Sequence, residues 1–92
     1  GIALHDYVDP EGRVHDAERI AFYESHIRAA RQAIDDGVPL VGFFPWSLLD
    51  DFEWSWGYGY RYGMHYVDYA TQARIPKDSA RWFATVTRAN GL

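Results

Sequence analysis

The run Val38-Pro39-Leu40-Val41-Gly42-Phe43-Phe44-Pro45-Trp46 is almost wholly apolar and does not alternate. A strand with one wet face alternates, whereas one covered on both faces does not. The run is therefore predicted to be a parallel strand, residues 38–46, buried on both sides. Such a strand needs neighbours for its ladder. The chain offers no second run of this kind, so the rest of the implied sheet is expected to come from elsewhere.

The flanking segments read as helices. Ile20, Tyr23, Ile27, Ala30 and Ile34 recur at helical spacing and predict a helix over 16–36. Asp16 is placed to cap it, Glu18 favours the positive end of its dipole, and Glu24 and Arg28 form an i,i+4 pair. Gly37 is its stop. Residues 1–15 read as a loop with a turn at Asp9-Pro10-Glu11-Gly12. Residues 47–77 are a long connection in which Met64–Tyr69 alternates and is expected to pair with Arg74-Ile75 across Ala70–Ala73. Asp78 is expected to cap a last helix over 78–90, with Trp82, Phe83 and Val86 on its apolar face and Asn90-Gly91 as its stop.

Helix, buried strand, long connection, helix is an α/β order, suited to a barrel or a doubly wound sheet. In both, ligands meet the chain just beyond the C-terminal end of a strand. The segment Trp46–Trp54 occupies that position. Connections as long as 47–77 inside a compact domain are usually functional.

Composition narrows the ligand. A net charge of -4 opposes binding of a phosphate backbone, so no nucleic-acid partner is expected. The longest apolar stretch, Val38–Leu49, is too short for a membrane span and is interrupted by Pro39 and Pro45. Gly1–Pro10 lacks the basic and apolar regions of a signal peptide, and the chain has no cysteine; a cytoplasmic protein is expected. The histidines His5, His15, His26 and His65 have no metal-ligand spacing, and neither a metal nor a cofactor is expected. Aromatic residues make up 17% of the chain, including four Trp and seven Tyr, which points to a crowded aromatic core or to a surface that stacks on sugar rings.

Glu53, between Phe52 and Trp54, is suited to accept two hydroxyl hydrogen bonds from one sugar in surroundings that exclude water. Spacing alone fits a solvent-exposed or helix-capping glutamate equally well. Trp46, at the predicted strand end, is either a platform under a sugar ring or a core tryptophan. Trp54 has an indole N–H to donate to a hydroxyl. Trp56, Tyr58, Tyr60 and Tyr62 lie in a Gly/Tyr-rich loop that either shapes a ligand entrance or packs on a rim. Asp50 and Asp51 read as acceptors that fix the loop, and Arg61 as the partner of a loop carboxylate.

The whole chain resembles the C-terminal region of family 1 glycoside hydrolases of the β-glucosidase type. The matching signals are Gly12-Arg13-Val14-His15-Asp16, Arg19-Ile20, Ala33–Val38, Trp46-Ser47-Leu48-Leu49-Asp50 and Phe52-Glu53-Trp54. They continue with Gly57-Tyr58, Arg61-Tyr62-Gly63, Tyr66–Tyr69, Pro76–Ala80 and Asn90-Gly91-Leu92. The resemblance implies the last part of a (β/α)8 TIM barrel: the loop after strand seven (1–15), helix seven, strand eight, its long loop and helix eight. It implies hydrolysis of β-glucosides or β-galactosides with retention of configuration.

On the same resemblance, Trp46 is the platform for the non-reducing sugar. Glu53 grips the 4- and 6-hydroxyls, Trp54 donates to the 3-hydroxyl, and Tyr62, usually Phe in the family, lies near the 6-hydroxymethyl. Asp51 stands where Asn is commoner, and Pro45 precedes the platform tryptophan. Gly1 resembles the glycine of the family's Thr-Glu-Asn-Gly motif, which implies that the nucleophile precedes this chain and the acid/base lies further upstream. No catalytic residue is therefore expected within the 92 residues, and the segment alone is expected to be inactive and without a stable fold. Two competing readings are a stand-alone carbohydrate-binding module and a non-catalytic barrel fragment that associates with a complementary chain.

Overall fold

The computed structural model describes residues 1–92. Helix α1 spans Ala17–Asp35 and helix α2 spans Asp78–Ala89. Between them lie a short 3-10 turn, Trp54–Trp56, and two strands, β1 (His65–Val67) and β2 (Arg74–Pro76). The strands pair antiparallel, with Tyr66 opposite Ile75, which is the hairpin expected from the alternation of 64–69. The turn at residue 9 also forms: Gly12 N–H donates to the Asp9 carbonyl at 3.0 Å, while the Asp9 carboxylate accepts from Glu11 and Arg13 backbone N–H groups.

No strand forms over 38–46 within this chain. Leu40 N–H donates to the Val38 carbonyl at 2.8 Å, but no ladder joins the run to another segment. Its side chains face solvent rather than a core: Val41 is 100% and Phe44 92% exposed. The reason is the missing neighbours. A run patterned for burial on both faces has nothing here to pair with or pack against.

The helix ends also differ from expectation in their capping. Asp16 precedes α1, but its carboxylate makes no capping hydrogen bond to it. Asp78 is the first residue inside α2 rather than its cap, and that position falls to Lys77. The Asp78 carboxylate turns outward to Arg13 and His15. Both helix stops are as read: Gly37 adopts φ 94° after α1, and Asn90 adopts the left-handed conformation, with Gly91 N–H returning to the Val86 carbonyl at 3.1 Å.

Only Val14, Tyr23, Met64 and Val67 are buried hydrophobics. The apolar stripe of α1 is covered at Tyr23 and open at Ile34, where α1, α2 and residues 40–43 line a groove. The interior is mainly ionic. Arg19, Lys77, Asp16 and Asp50 are all buried, together with Ser47 and Ser79. No helix is long and apolar enough to cross a membrane.

Candidate functional site

The segment from Trp46 to Tyr62 is folded back by backbone pairing. Ser47 N–H donates to the Tyr62 carbonyl at 3.1 Å, and Met64 N–H to the Ser47 carbonyl at 2.9 Å. His65 N–H then reaches Leu48, and Asp50 N–H reaches His65. These bonds bring Trp46 and Tyr62 together. Tyr23 anchors the same corner, donating its hydroxyl to the Trp46 carbonyl at 3.0 Å. Gly1 lies against both residues: a Cβ at position 1 would collide with the Trp46 carbonyl and meet the Tyr62 ring at 3.4 Å. The Trp46–Ser47 peptide is cis, and Trp46 remains 53% exposed.

Glu53 and Trp54 sit on a separate tight turn. Glu53 N–H donates to the Gly57 carbonyl at 2.8 Å, and Trp56 N–H returns to the Glu53 carbonyl at 2.7 Å. Gly57 adopts φ 60°, and Trp54 is held at φ 34°, in the left-handed region that a side chain with Cβ avoids. Trp54 projects outward and is 83% exposed. Glu53 is partly covered, and its Oε2 is buried without any hydrogen-bond partner. No hydrogen bond joins the side chains of Glu53 or Trp54 to those of Trp46 or Tyr62. The chain itself sets their spacing.

Aromatic side chains surround this turn. Phe52 packs edge-on against Tyr58 with ring centroids 5.5 Å apart, and Tyr58 lies 4.7 Å from Tyr69. Trp56 packs edge-on against Tyr60 at 5.1 Å. Of the two readings left open by composition, these exposed rings form a surface rather than a crowded core.

Beneath the turn, Asp50 has both carboxylate oxygens saturated. Oδ1 accepts from Lys77 Nζ at 2.8 Å and Gly63 N–H at 3.0 Å; Oδ2 accepts from Arg61 Nη1 at 2.7 Å and Val67 N–H at 3.3 Å. Asp50 is thus the loop-fixing acceptor its position implied, and Arg61 pairs with it. The Arg61 guanidinium is also stacked 3.9 Å from the Tyr66 ring centroid. Asp51 has no such donors. Burial, followed by the charges of Glu53 and Asp50, pushes its carboxyl above the usual carboxylate value.

The network extends to partners that local spacing does not reveal. Lys77 Nζ also donates to Asp6 Oδ2 at 2.7 Å, and Arg19 spans Asp6 and Asp16 at 2.9 and 2.6 Å. Arg19 further donates to the Arg61 carbonyl at 2.8 Å. Only Asp16 with Arg19, three residues apart on a helix start, was open to a local reading. Lys77 and Asp6 are 71 positions apart.

The glycosyl hydrolase family 1 profile matches residues 1–92. β-Glucosidase A of Thermotoga maritima is 54% identical over 92 residues, covering 100% of this chain and 21% of that protein. β-Glucosidase 26 of Oryza sativa subsp. japonica is 56% identical over 70 residues, covering 76% of this chain and 14% of that protein. The solved structure of the Thermotoga maritima family 1 β-glucosidase superposes with a TM-score of 0.99, over 100% of this chain and 21% of that one. The same enzyme has been solved in complex with deoxynojirimycin, with a TM-score of 0.99 and the same coverage. The chain thus spans about a fifth of the length of the Thermotoga maritima β-glucosidase and reproduces one part of its TIM-barrel fold. With its full length matched by the family profile, the chain belongs to glycosyl hydrolase family 1.

Proposed function

We propose that this chain is the glycone-binding wall of a retaining β-glucosidase-type enzyme and is completed by the remainder of a (β/α)8 barrel. In that barrel α1 is helix seven, residues 38–46 are strand eight and α2 is helix eight. The wall takes a β-glucoside or β-galactoside. Trp46 lies under the non-reducing sugar, and Glu53 accepts from its 4- and 6-hydroxyls. Trp54 donates its indole N–H to the 3-hydroxyl, and Tyr62 lies beside the 6-hydroxymethyl.

The observation that carries this reading is the buried, unpartnered Oε2 of Glu53. A carboxylate oxygen stripped of water and given no protein donor costs free energy, which hydroxyl donors from a ligand offset. Such bonds to an ionised acceptor are roughly twice as strong as neutral ones. The exposed Trp46 and Trp54 supply apolar faces and one indole N–H donor each.

The catalytic pair is assigned to other parts of the enzyme. Retaining hydrolysis needs two carboxyl groups about 5–5.5 Å apart, one as nucleophile and one as acid/base. Asp50 is unsuited to either role, since four donors occupy its oxygens. The wall's part in catalysis is to orient the sugar for groups elsewhere, a contribution realised most fully when contacts tighten in the transition state.

The test is a chimera. The segment of Thermotoga maritima β-glucosidase A that matches this chain is replaced by the 92 residues, and hydrolysis of an aryl β-glucoside is measured. Activity is expected in the chimera and none in the 92 residues alone. Within the chimera, Glu53→Gln is expected to lower kcat/KM on the order of a hundredfold, through lost charge-assisted bonds. An inactive chimera, or an unchanged E53Q variant, overturns the reading.

A further inference from the structure

Lys77 lies just before α2, far in sequence from the proposed sugar contacts, yet it is fully buried against the segment that carries them. Its ammonium donates to Asp6 Oδ2 at 2.7 Å and to Asp50 Oδ1 at 2.8 Å. Asp6 belongs to the N-terminal segment and Asp50 to the loop between Trp46 and Glu53. Each carboxylate has a second cation of its own: Arg19 for Asp6 and Arg61 for Asp50. Lys77 alone is shared by both.

We propose that Lys77 is a positioning residue for sugar binding, fixing the Trp46–Glu53 loop against the N-terminal segment and thereby setting where the Glu53 carboxylate points. This rests on the sugar-binding role given to Glu53 above. Without the ammonium, two buried carboxylates face each other across the junction, and like charges in a low dielectric repel. The loop moves away from residues 1–6 to admit water.

The displacement has a short path to Glu53, since only Asp51 and Phe52 intervene after Asp50. It has an equally short path to the platform corner. Asp50 holds Gly63 N–H, next to Tyr62, whose carbonyl holds Ser47 N–H beside Trp46. Gly63 is packed directly on this backbone, because a Cβ there would collide with Leu49 and Asp50. A movement of Asp50 therefore moves both halves of the sugar wall. Positioning errors of about 1 Å cost catalysis on the order of a hundredfold.

The experiment is a double-mutant cycle in the chimera, pairing Lys77→Met with Glu53→Gln and reading kcat and KM on an aryl β-glucoside well below the melting temperature. Lys77→Met alone is expected to lower kcat/KM on the order of tenfold to a hundredfold. In the E53Q background it is expected to lower kcat/KM by a clearly smaller factor, because the charge-assisted contact of Glu53 is already lost and only the Trp46 corner still responds. Multiplying losses overturn the proposal and leave the sugar-binding reading standing. A silent E53Q overturns both, and an unchanged K77M overturns the positioning role. If K77M does not fold, Asp6→Asn takes its place in the same cycle. It keeps the Lys77–Asp50 bond while weakening the tie to the N-terminal segment, and the same coupling to Glu53 is expected at smaller amplitude. Losses that multiply with E53Q overturn the proposal there too.

Discussion

Asp16 precedes the first helix but serves the second: its Oδ1 accepts from the backbone N–H of Ser79 at 2.9 Å, 63 positions away. Its Oδ2 meanwhile holds Arg19 Nη1 at 2.6 Å and accepts from the Ser79 hydroxyl. One buried carboxylate thus joins the starts of α1 and α2, and Asp78 N–H closes the junction on the Val14 carbonyl at 3.0 Å. Replacing Asp16 with Ala takes one of the two carboxylates from buried Arg19, leaving only Asp6, and leaves Ser79 N–H unpaired in a dry site. The expected destabilisation in the chimera is about 3–5 kcal/mol, read from urea unfolding midpoints. Ser79→Ala removes only the hydroxyl and is expected to cost about 1 kcal/mol.

His15 ties the turn at residue 9 to α2. Its Nδ1 lies 2.6 Å from Asp78 Oδ2 and its Nε2 2.9 Å from Asp9 Oδ2, and both nitrogens donate only when the ring is protonated. The bonds to Asp78, then Asp9, raise its pKa above the ordinary 6.5. Asp78, held chiefly by Arg13, and Asp9, held chiefly by the Arg13 backbone N–H, lie below their ordinary 3.8. A raised histidine stabilises fully below pH 6.5, and its contribution fades as pH rises through the folded value. The depressed carboxylates stabilise above 3.8, and theirs fades as pH falls. Both contributions are complete between those limits. His15→Gln is expected to lower the chimera's unfolding midpoint in that window, with the difference shrinking towards alkaline pH and in high salt.

Trp54 combines an exposed indole with a left-handed backbone, a conformation that costs a non-glycine residue about 1 kcal/mol. Trp54→Gly and Trp54→Ala both remove the indole and are expected to raise KM for an aryl β-glucoside by similar factors. They are expected to differ in stability, with Gly the more stable by about 1 kcal/mol because it accepts the positive φ without strain. Equal melting temperatures would remove the backbone argument, and unchanged KM in both would remove the sugar contact.

The apolar run tests whether other barrel elements cover it. Val41 is fully exposed in this chain, so Val41→Asp is expected to leave the isolated 92 residues no less soluble and without a cooperative transition, as before. In the chimera the same change buries an unpaired carboxylate between strands. A loss of several kcal/mol, or failure to fold, is expected by urea unfolding. A tolerant chimera would show that the run stays uncovered.

The sequence alone determined the local elements and marked out the aromatic segment proposed to face the ligand. Ile20, Tyr23 and Ile27 at helical spacing, the alternation over 64–69, and Gly37 and Asn90 as stops are signals a chain carries within a few residues. They therefore survive without tertiary context. The position of Trp46–Trp54 after an apolar, non-alternating run was legible for the same reason, as were the Asp9 turn and the Arg61 partnership with a loop carboxylate.

Tertiary structure decided the rest. It took Asp16 from the helix it precedes and gave it to Ser79, took Asp78 from its cap and gave it to Arg13 and His15, and clamped Lys77 between Asp6 and Asp50. Each of these is a charge choosing among partners tens of residues apart, and local spacing carries no information about that choice. The strand over 38–46 marks the opposite limit: its pattern specifies burial on both faces, but a ladder requires neighbouring strands, and only the tertiary surroundings supply them.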